Sequence, residues 1–174
     1  MNISKRVLHF GLVLGFSLCT MSSRADFFEG DPVPEIQAQD IFGKSVNLNE
    51  ILEKNPDLVI LFFFTPDNGK AIAAKLQALK RLYNSDALSI IALGMESDKA
   101  ALQAFADGLK IQYFLLADEQ VKTAEWYKNV NQLPLTLFVH TPERKIERVL
   151  RGAGTEQANI LKEVAENLFQ QRKT

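Results

Sequence analysis

Seven consecutive apolar residues, Leu58–Phe64 (LVILFFF), form an unbroken run in the first half of the chain. The run has the length of a β-strand, and because no polar residue alternates with the apolar ones it is typical of a central strand covered on both faces. Residues 65–69 (TPDNG) end the run, and Asp67 or Asn68 could cap a following helix. In that helix the apolar positions recur at helical spacing: Ile72, Leu76, Leu79 and Leu82 or Tyr83. A doubly buried strand leading into an amphipathic helix indicates an α/β fold.

The rest of the chain continues the alternation of strands and helices. Residues 26–34 hold two prolines and are expected to be extended or irregular. The further predicted elements, in chain order, are a hairpin of strands at 36–39 and 45–48 around a turn at 40–44, a strand at 88–93, a helix capped by Ser97 or Asp98, a strand at 112–116, a short helix at 121–128, strands at 135–140 and 146–150, and a final helix capped by Thr155 with Ile160, Leu161, Val164, Ala165 and Leu168 facing inward. This order predicts three layers, in which a mixed central sheet carries helices on both faces and an N-terminal β-hairpin precedes it.

Residues 1–25 have the pattern of a secretory signal peptide. Lys5 and Arg6 precede an apolar stretch at 7–18, and small residues at Ser23 and Ala25 predict cleavage after Ala25. The alternatives are an uncleaved N-terminal anchor, for which the stretch is short, and a lipoprotein modified at Cys19. We therefore expect a signal peptide at 1–25, one domain at 26–174, and a periplasmic or secreted protein.

Removal of the predicted leader changes the charge and the thiol content. The remaining chain would carry 17 basic and 21 acidic residues, a net charge of −4, and it would lack a cysteine because Cys19 is the only one. A mildly acidic chain without a basic tract is a poor match for nucleic acid or an anionic membrane. His140 would be the only histidine, with no cysteine or second histidine beside it, so no metal and no cofactor is expected.

Three local patterns carry a resemblance to a known group of proteins. They are residues 30–34 (GDPVP) followed by 40–48, the run Leu58–Phe64 with its turn and helix, and residues 133–139 (LPLTLFV). In this order and spacing the chain resembles the thioredoxin-like proteins of the TlpA/ResA type, related to the AhpC/TSA peroxiredoxins. The resemblance covers residues 35–169 and implies a thioredoxin-like fold, a cis peptide bond before Pro134, and relatives that are thiol–disulfide oxidoreductases.

The chain departs from that group where its cysteines stand, just after the first core strand. Depending on the alignment, the two positions are occupied by Asp67 and Lys70, by Asn68 and Ala71, or by Gly69 and Ile72. The nucleophile of thiol–disulfide exchange is a thiolate, and none of these side chains replaces it. The resemblance therefore does not extend to the group's redox activity, and no catalytic residue is predicted.

The same comparison implies a surface at which a polypeptide could bind. In the resembling fold, the backbone of the residue before the cis-proline pairs with an extended peptide. The predicted binding residues are Pro66, Asp67, Asn68, Gly69, Lys70, Leu133 and Pro134. In the competing interpretation residues 66–70 are a polar turn and helix cap, and Pro134 only begins an edge strand.

We therefore predict a redox-inactive, exported thioredoxin-like protein that binds a polypeptide or an envelope protein. Three alternatives stay open: an oxidoreductase, which rests on the resemblance alone; a non-thiol enzyme using Asp67, Glu96 and Asp98 near strand ends; and a structural subunit of an envelope assembly. Trp126 and Tyr127 fit a binding surface or the margin of the core. His140 could be a general base or a metal ligand, but a solvated histidine at a strand end is the expectation. The basic residues are expected to be solvated charge: Arg144, Lys145, Arg148, Arg151, Arg172 and Lys173.

Overall fold

The structure, a computed structural model, describes residues 26–83 and 87–172. The predicted leader at 1–25, with Cys19, and the terminal Lys173 lie outside the described residues. The elements follow in the order β1 (Gln37–Gln39), β2 (Ser45–Asn47), α1 (Leu48–Glu53), β3 (Leu58–Phe64), α2 (Pro66–Leu82), β4 (Leu88–Gly94), α3 (Lys99–Leu109), β5 (Phe114–Ala117), two 3₁₀ turns (Asp118–Gln120 and Glu125–Asn129), β6 (Leu135–His140), β7 (Lys145–Arg151) and α4 (Thr155–Gln171).

A five-stranded mixed sheet in the order β5-β4-β3-β6-β7 forms the centre of the molecule. β3 is parallel to β4 and β4 to β5, whereas β6 is antiparallel to both β3 and β7. β1 and β2 form a separate antiparallel pair, as the sequence predicts. The α/β three-layer prediction is therefore confirmed, with β3 at the middle of the sheet.

The two faces of β3 explain its unbroken apolar sequence. Its seven side chains are all buried, and they alternate between two clusters. Phe62 and Phe64 face the cluster that α2, α3 and α4 cover, whereas Phe63 faces the cluster formed with α1, the β1–β2 hairpin and Phe27. Because water reaches neither face, a polar residue anywhere in this strand would lose its hydration without compensation.

The N-terminal segment lies along the outer edge of the sheet. Gly30 N–H donates to Ile146 O at 2.7 Å, and Ile146 N–H donates to Asp31 O at 2.8 Å. Arg151 in β7 holds the start of the segment, since its guanidinium contacts Asp26 Oδ1 at 2.9 Å and donates to Phe27 O at 2.7 Å. These bonds satisfy backbone groups at an edge strand that would otherwise be open to pairing.

The basic residues expected to be solvated are in part ion-paired. Arg148 contacts Glu29 at 3.2 Å, and Arg172 contacts Glu147 at 2.6 Å. The Arg172 pair is the less exposed of the two, and Arg151 is bonded to Asp26 and Phe27 O, so the expectation of solvated charge is wrong at Arg151 and Arg172.

Several local predictions are also wrong. The helix predicted at 121–128 is replaced by 3₁₀ turns because Ala124, at φ −69° and ψ 141°, is extended and interrupts it. Asn47 and Leu48 were predicted to end a strand. In the structure Asn47 caps α1 and Leu48 begins it. Strand β5 begins two residues later than predicted, α2 is preceded by Thr65 as its cap residue, and α4 by Gly154. Ile160 in α4 points outward, with 38% of its surface exposed.

No helix among the described residues is long and apolar enough to cross a lipid bilayer.

Candidate functional site

The end of β3 and the start of α2 form the first half of the candidate site. Thr65 is extended, at φ −107° and ψ 152°, and Pro66 opens the helix, where its missing N–H costs nothing. The Asn68 side chain turns back and accepts a hydrogen bond from the Thr65 N–H at 2.9 Å. The turn predicted at 65–69 is therefore a fixed helix entry, in which Asn68 acts from the third helical position rather than as the cap residue.

Gly69 lets this helix entry lie directly on the sheet. A Cβ at Gly69 would lie 2.4 Å from Phe64 Cδ2 and 2.8 Å from Phe64 Cβ, both closer than atoms in contact approach. The Phe64 ring stacks on the Phe62 ring with 4.8 Å between centroids, and its centroid lies 5.0 Å from that of Phe105. The Phe64 ring is therefore also packed against other rings. The glycine therefore fixes the distance between α2 and β3.

The second half of the site is the bend before β6. The Leu133–Pro134 peptide bond is cis, Pro134 is buried, and its carbonyl accepts a hydrogen bond from Gly152 N–H at 3.0 Å. The last pair of the β3–β6 ladder is Phe63 with Leu135. Thr65 lies two residues after Phe63, and Leu133 lies two residues before Leu135, so both adjoin the end of this ladder. The loop after β3 and the bend before β6 are thus neighbours.

The seven predicted site residues differ in what they can offer a partner. Asp67 and Lys70 are exposed, and Pro66, Asn68 and Leu133 are partly exposed. Gly69 and Pro134 are buried, so they act through the shape of the backbone rather than through side-chain contact.

Leu133 differs from its neighbours in its backbone. Within residues 26–83 and 87–172, no hydrogen bond engages its N–H or its C=O. Its side chain packs against the cluster under the hairpin, so the residue is held in place while its peptide groups stay open. An amide and a carbonyl left unpaired at an accessible sheet end are the groups that an added strand uses.

Beside this end of the sheet lies a hollow of about 590 Å³ that sequence reasoning did not predict. Trp126 forms one wall: its ring meets Phe63 edge-on at 5.7 Å, and its Nε1 donates to Glu35 O at 2.7 Å. Phe27 stacks on Phe63 from the N-terminal segment at 6.0 Å and forms another wall. Proline and tryptophan in the sequence were available as signals, but only the fold places residues 27–35 against 124–129.

Tyr127 and nearby carboxylates form a short polar network next to the hollow. The Tyr127 hydroxyl donates to Asp118 Oδ1. Burial, the hydrogen bond to Asp118 and the negative charges of Asp118 and Glu96 all raise the pKa of the Tyr127 phenol well above its ordinary value. The phenol is therefore a proton donor at neutral pH and does not act as a base there.

Of the carboxylates proposed for a non-thiol enzyme, Asp98 has a structural role. Asp98 Oδ1 accepts from Ala101 N–H at 2.8 Å and so caps α3. Nowhere in the described part of the chain do three histidine, cysteine, aspartate or glutamate side chains group so as to hold a metal ion. His140 ends β6, which runs antiparallel to β3, so it lies at the opposite end of the sheet from Leu133.

Exposure separates the three placements of the relatives' cysteine positions. Gly69 and Ile72 are both buried against the sheet, whereas Asp67 and Lys70 are both exposed on the first turn of α2. A reactive thiol must be accessible and gains acidity at a helix N-terminus. Asp67 is therefore the position on this scaffold that best matches a nucleophilic cysteine, and it holds a carboxylate.

The chain matches a known protein family. The AhpC/TSA family matches residues 29–149, which span both halves of the site. No curated protein matches the chain.

Three solved structures illustrate the likeness. A thiol:disulfide interchange protein of the thioredoxin family from Chlorobium tepidum is 11% identical, covers 82% of this chain and 98% of its own, and superposes with a TM-score of 0.64. A secreted Mycobacterium tuberculosis disulfide oxidoreductase homologous to E. coli DsbE is 16% identical, with coverages of 76% and 96% and a TM-score of 0.61. The peroxidoxin BcpB from Mycobacterium tuberculosis is 18% identical, with coverages of 83% and 97% and a TM-score of 0.61. At these identities the likeness shows the thioredoxin-like fold.

Proposed function

The chain belongs to the AhpC/TSA family, and from that premise we propose that it is a redox-inactive, exported member that binds an extended polypeptide beside Leu133 and the start of α2. The single observation that carries the binding half is the open backbone of Leu133 next to the loop where relatives keep their nucleophile.

The residues at the helix entry cannot carry out redox chemistry. Residues 26–174 contain no cysteine, and an exchange reaction without a thiolate has no nucleophile. Cys19 stands in the segment that we propose to be a signal peptide, so export would remove it. The proposed protein therefore retains a recognition surface without the reaction that the names of its solved relatives describe.

The surface offers an extended chain backbone hydrogen bonds, charged side chains and a hollow. The Leu133 N–H can donate a hydrogen bond to the backbone of an extended peptide, and the Leu133 C=O can accept one. These bonds give affinity without side-chain specificity. Asp67 and Lys70 are exposed on the neighbouring helix turn and can form ion pairs with charged side chains of the peptide. The hollow lined by Trp126 and Phe27 can take an apolar side chain. A polypeptide is the ligand class that uses all three at once.

An insulin-reduction assay tests the chemical half of the proposal. The purified chain with Cys19 replaced by serine is expected to show no turnover above buffer with dithiothreitol as the reductant. The unsubstituted full-length chain serves as the comparison. Turnover by the Cys19→Ser chain would overturn the proposal of redox inactivity, because no thiol remains to account for it.

Selection from a displayed library of random peptides, followed by titration of the best peptide, tests the binding half. Pro134→Ala is expected to weaken binding at least about tenfold, because the bend that presents Leu133 is lost. Pro142→Ala is the matched control: this proline is exposed in the turn at the far end of β6 and should leave affinity unchanged. Failure to enrich any peptide, or equal affinity in the Pro134→Ala chain with an unaltered circular dichroism spectrum, contradicts the proposal.

The intact mass of the protein from a periplasmic or culture fraction tests export. We expect a chain that begins at Asp26. A mass that includes residues 1–25 would indicate the uncleaved anchor, and a lipid-modified chain beginning at Cys19 would indicate the lipoprotein; either excludes the cleaved form.

A further inference from the structure

A second cavity lies at the other end of the sheet from the proposed peptide surface. It encloses about 620 Å³, a size typical of small-molecule sites. Its walls come from the hairpin turn, the end of α1, the end of α2, the start of β4 and the segment that leads into β5. These are the amino ends of the parallel strands, whereas Leu133 and the start of α2 lie at their carboxyl ends.

A difference in strand length opens this cavity. The first pair between β4 and β5 is Ile91 with Phe114, so residues 88–90 of β4 extend beyond β5 and have a neighbour on the β3 side alone. Ser89 and Ile90 line the cavity there. The hairpin turn wraps around the outside of β5, as Ile41 N–H donates to Leu115 O at 2.8 Å, and it brings Phe42 over the opening. The cavity is therefore a consequence of the topology rather than of a single side chain.

Among the described residues that line the cavity, apolar side chains stand beside more basic than acidic ones. The apolar lining residues are Phe42, Ile51, Pro56, Ile90, Ile111, Tyr113 and Phe114. The charged ones are three lysines, Lys44, Lys54 and Lys80, and one carboxylate, Asp40. Charge of one sign in a concave apolar site attracts ligands of the opposite sign.

Hydrogen bonds within the hairpin turn fix the orientation of Asp40, the carboxylate among the described lining residues. Asp40 Oδ1 accepts from Phe42 N–H at 3.0 Å and from Lys44 N–H at 2.8 Å, and the residue is buried. Lys80 is fixed at the cavity by its bond to Leu88 O at 2.8 Å, and the Lys44 ammonium lies 4.7 Å from the centre of the Phe114 ring. Lys44 is thus held beside the aromatic lining.

Phe42 is a further sign that the cavity takes a ligand. It stands at the tip of a two-stranded turn with 52% of its surface exposed, although its ring lines the cavity. An aromatic side chain left half in water beside an apolar cavity gains burial when an apolar body fills the space.

From these observations we propose that the cavity binds a small organic anion with an aromatic or aliphatic body, such as a carboxylate or sulfonate. The anionic group would lie beside Lys44 and Lys54, and the body against Ile90, Ile111 and Phe42. This site is independent of the proposed peptide surface, since the two share no residue and lie at opposite ends of the sheet.

A fluorescence titration with 8-anilinonaphthalene-1-sulfonate tests the proposal. The purified protein is expected to bind one equivalent saturably, while N-phenyl-1-naphthylamine, which has the same rings without the sulfonate, binds at least about tenfold more weakly. Lys44→Gln combined with Lys54→Gln should weaken the sulfonate at least about tenfold and leave the neutral probe unchanged. Lys122→Gln combined with Lys162→Gln makes the same charge change on exposed lysines elsewhere and should alter neither.

A cavity-filling variant separates binding from folding. Ser89→Phe keeps all three lysines but occupies the space, so it should abolish saturable binding while the near-ultraviolet circular dichroism spectrum stays that of the parent. Absence of saturable binding in the parent overturns the proposal, as does equal affinity for both probes. Undiminished sulfonate affinity in the lysine pair variant or in Ser89→Phe overturns it too, and none of these results bears on the peptide surface.

Discussion

Gly69 lies in the first turn of α2 against the Phe64 ring, where a Cβ would approach Cδ2 to 2.4 Å. Gly69→Ala therefore forces the ring or the helix to move, and both are packed on their other sides. We expect the free energy of unfolding to fall by about 1–3 kcal/mol, the usual cost of overpacking a core. Urea unfolding followed by circular dichroism measures the change.

Gly108 provides the opposite case for the same substitution. It lies inside α3, and a Cβ there would meet nothing within 4 Å. Gly108→Ala should raise the free energy of unfolding by about 0.5–1 kcal/mol, since alanine has the better helix propensity. Equal effects at both positions would show that α2 is not held against Phe64 as described.

Asp67 is exposed at the second position of α2, where unpaired backbone N–H groups favour a negative charge. In a Cys19→Ser background, Asp67→Cys is expected to have a thiol pKa below the free value of about 8.5. Ala104→Cys, exposed in the middle of α3, should remain near that value. The pH dependence of alkylation by iodoacetamide compares the two, and identical profiles would show that the helix entry no longer activates a thiol.

The site could be predicted from the sequence only in part, and the residues show why. Pro66 and Leu133 are far apart in the chain. The family resemblance predicted that they lie close together, and the pairing of β3 with β6 agrees with that prediction. Trp126 was a candidate for a binding surface, but the hollow beside it was not predicted, because its hydrogen bond to Glu35 joins segments with no shared periodicity. The pattern of a helix or strand carries no information on which loops meet across 91 residues.

At the scale of elements, the sequence was most informative where burial was complete. The bounds of β3 and β6 were predicted to the residue, since both strands are apolar on two faces and end in breakers. The short α1 was missed because Val46 and Leu48 alternate like a strand, although Leu48, Ile51 and Leu52 also have helical spacing. Leu48 fits both periods, and the Asn47 cap decides in favour of the helix.

The attachment of the N-terminal segment to β7 leads to an element-scale prediction. Arg151 is the tie, because it bonds both Asp26 and the Phe27 carbonyl from a partly buried position. Arg151→Gln is expected to lower the free energy of unfolding by about 1 kcal/mol and to speed amide exchange at Gly30 and Ile146. Hydrogen exchange followed by NMR, together with urea unfolding, measures both effects.

Arg148→Gln is the control on the same strand. Its pair with Glu29 is exposed on both sides, so the substitution should change stability by less than about 0.5 kcal/mol and leave those amides protected. If Arg148→Gln loosens the segment as much as Arg151→Gln, the charge of the strand matters and the specific bonds do not.

The whole molecule has two functional ends in these proposals, separated by one sheet. The carboxyl ends of β3 and β4 adjoin the start of α2, as in other α/β proteins where ligands bind at that edge. The amino ends hold the cavity because β5 is shorter than β4. β3 spans both ends as a rigid, fully buried strand, so a substitution at one end should leave the other unchanged.

The buried tyrosine makes the stability of the whole molecule sensitive to alkaline pH. Tyr113 lies in the core with 5% of its surface exposed, and burial raises the pKa of its phenol well above the ordinary 10.0. In the unfolded chain the phenol would ionise near 10.0, whereas in the folded protein it keeps its proton. Stability is therefore undiminished by this group below about pH 10 and falls above it, by about 1.4 kcal/mol per pH unit for Tyr113. Urea unfolding of the parent and of Tyr113→Phe at pH 9, 10 and 11 measures the difference in slope: the variant should lose stability less steeply above pH 10, and parallel slopes would mean that the phenol ionises as readily in the folded protein as in the unfolded chain.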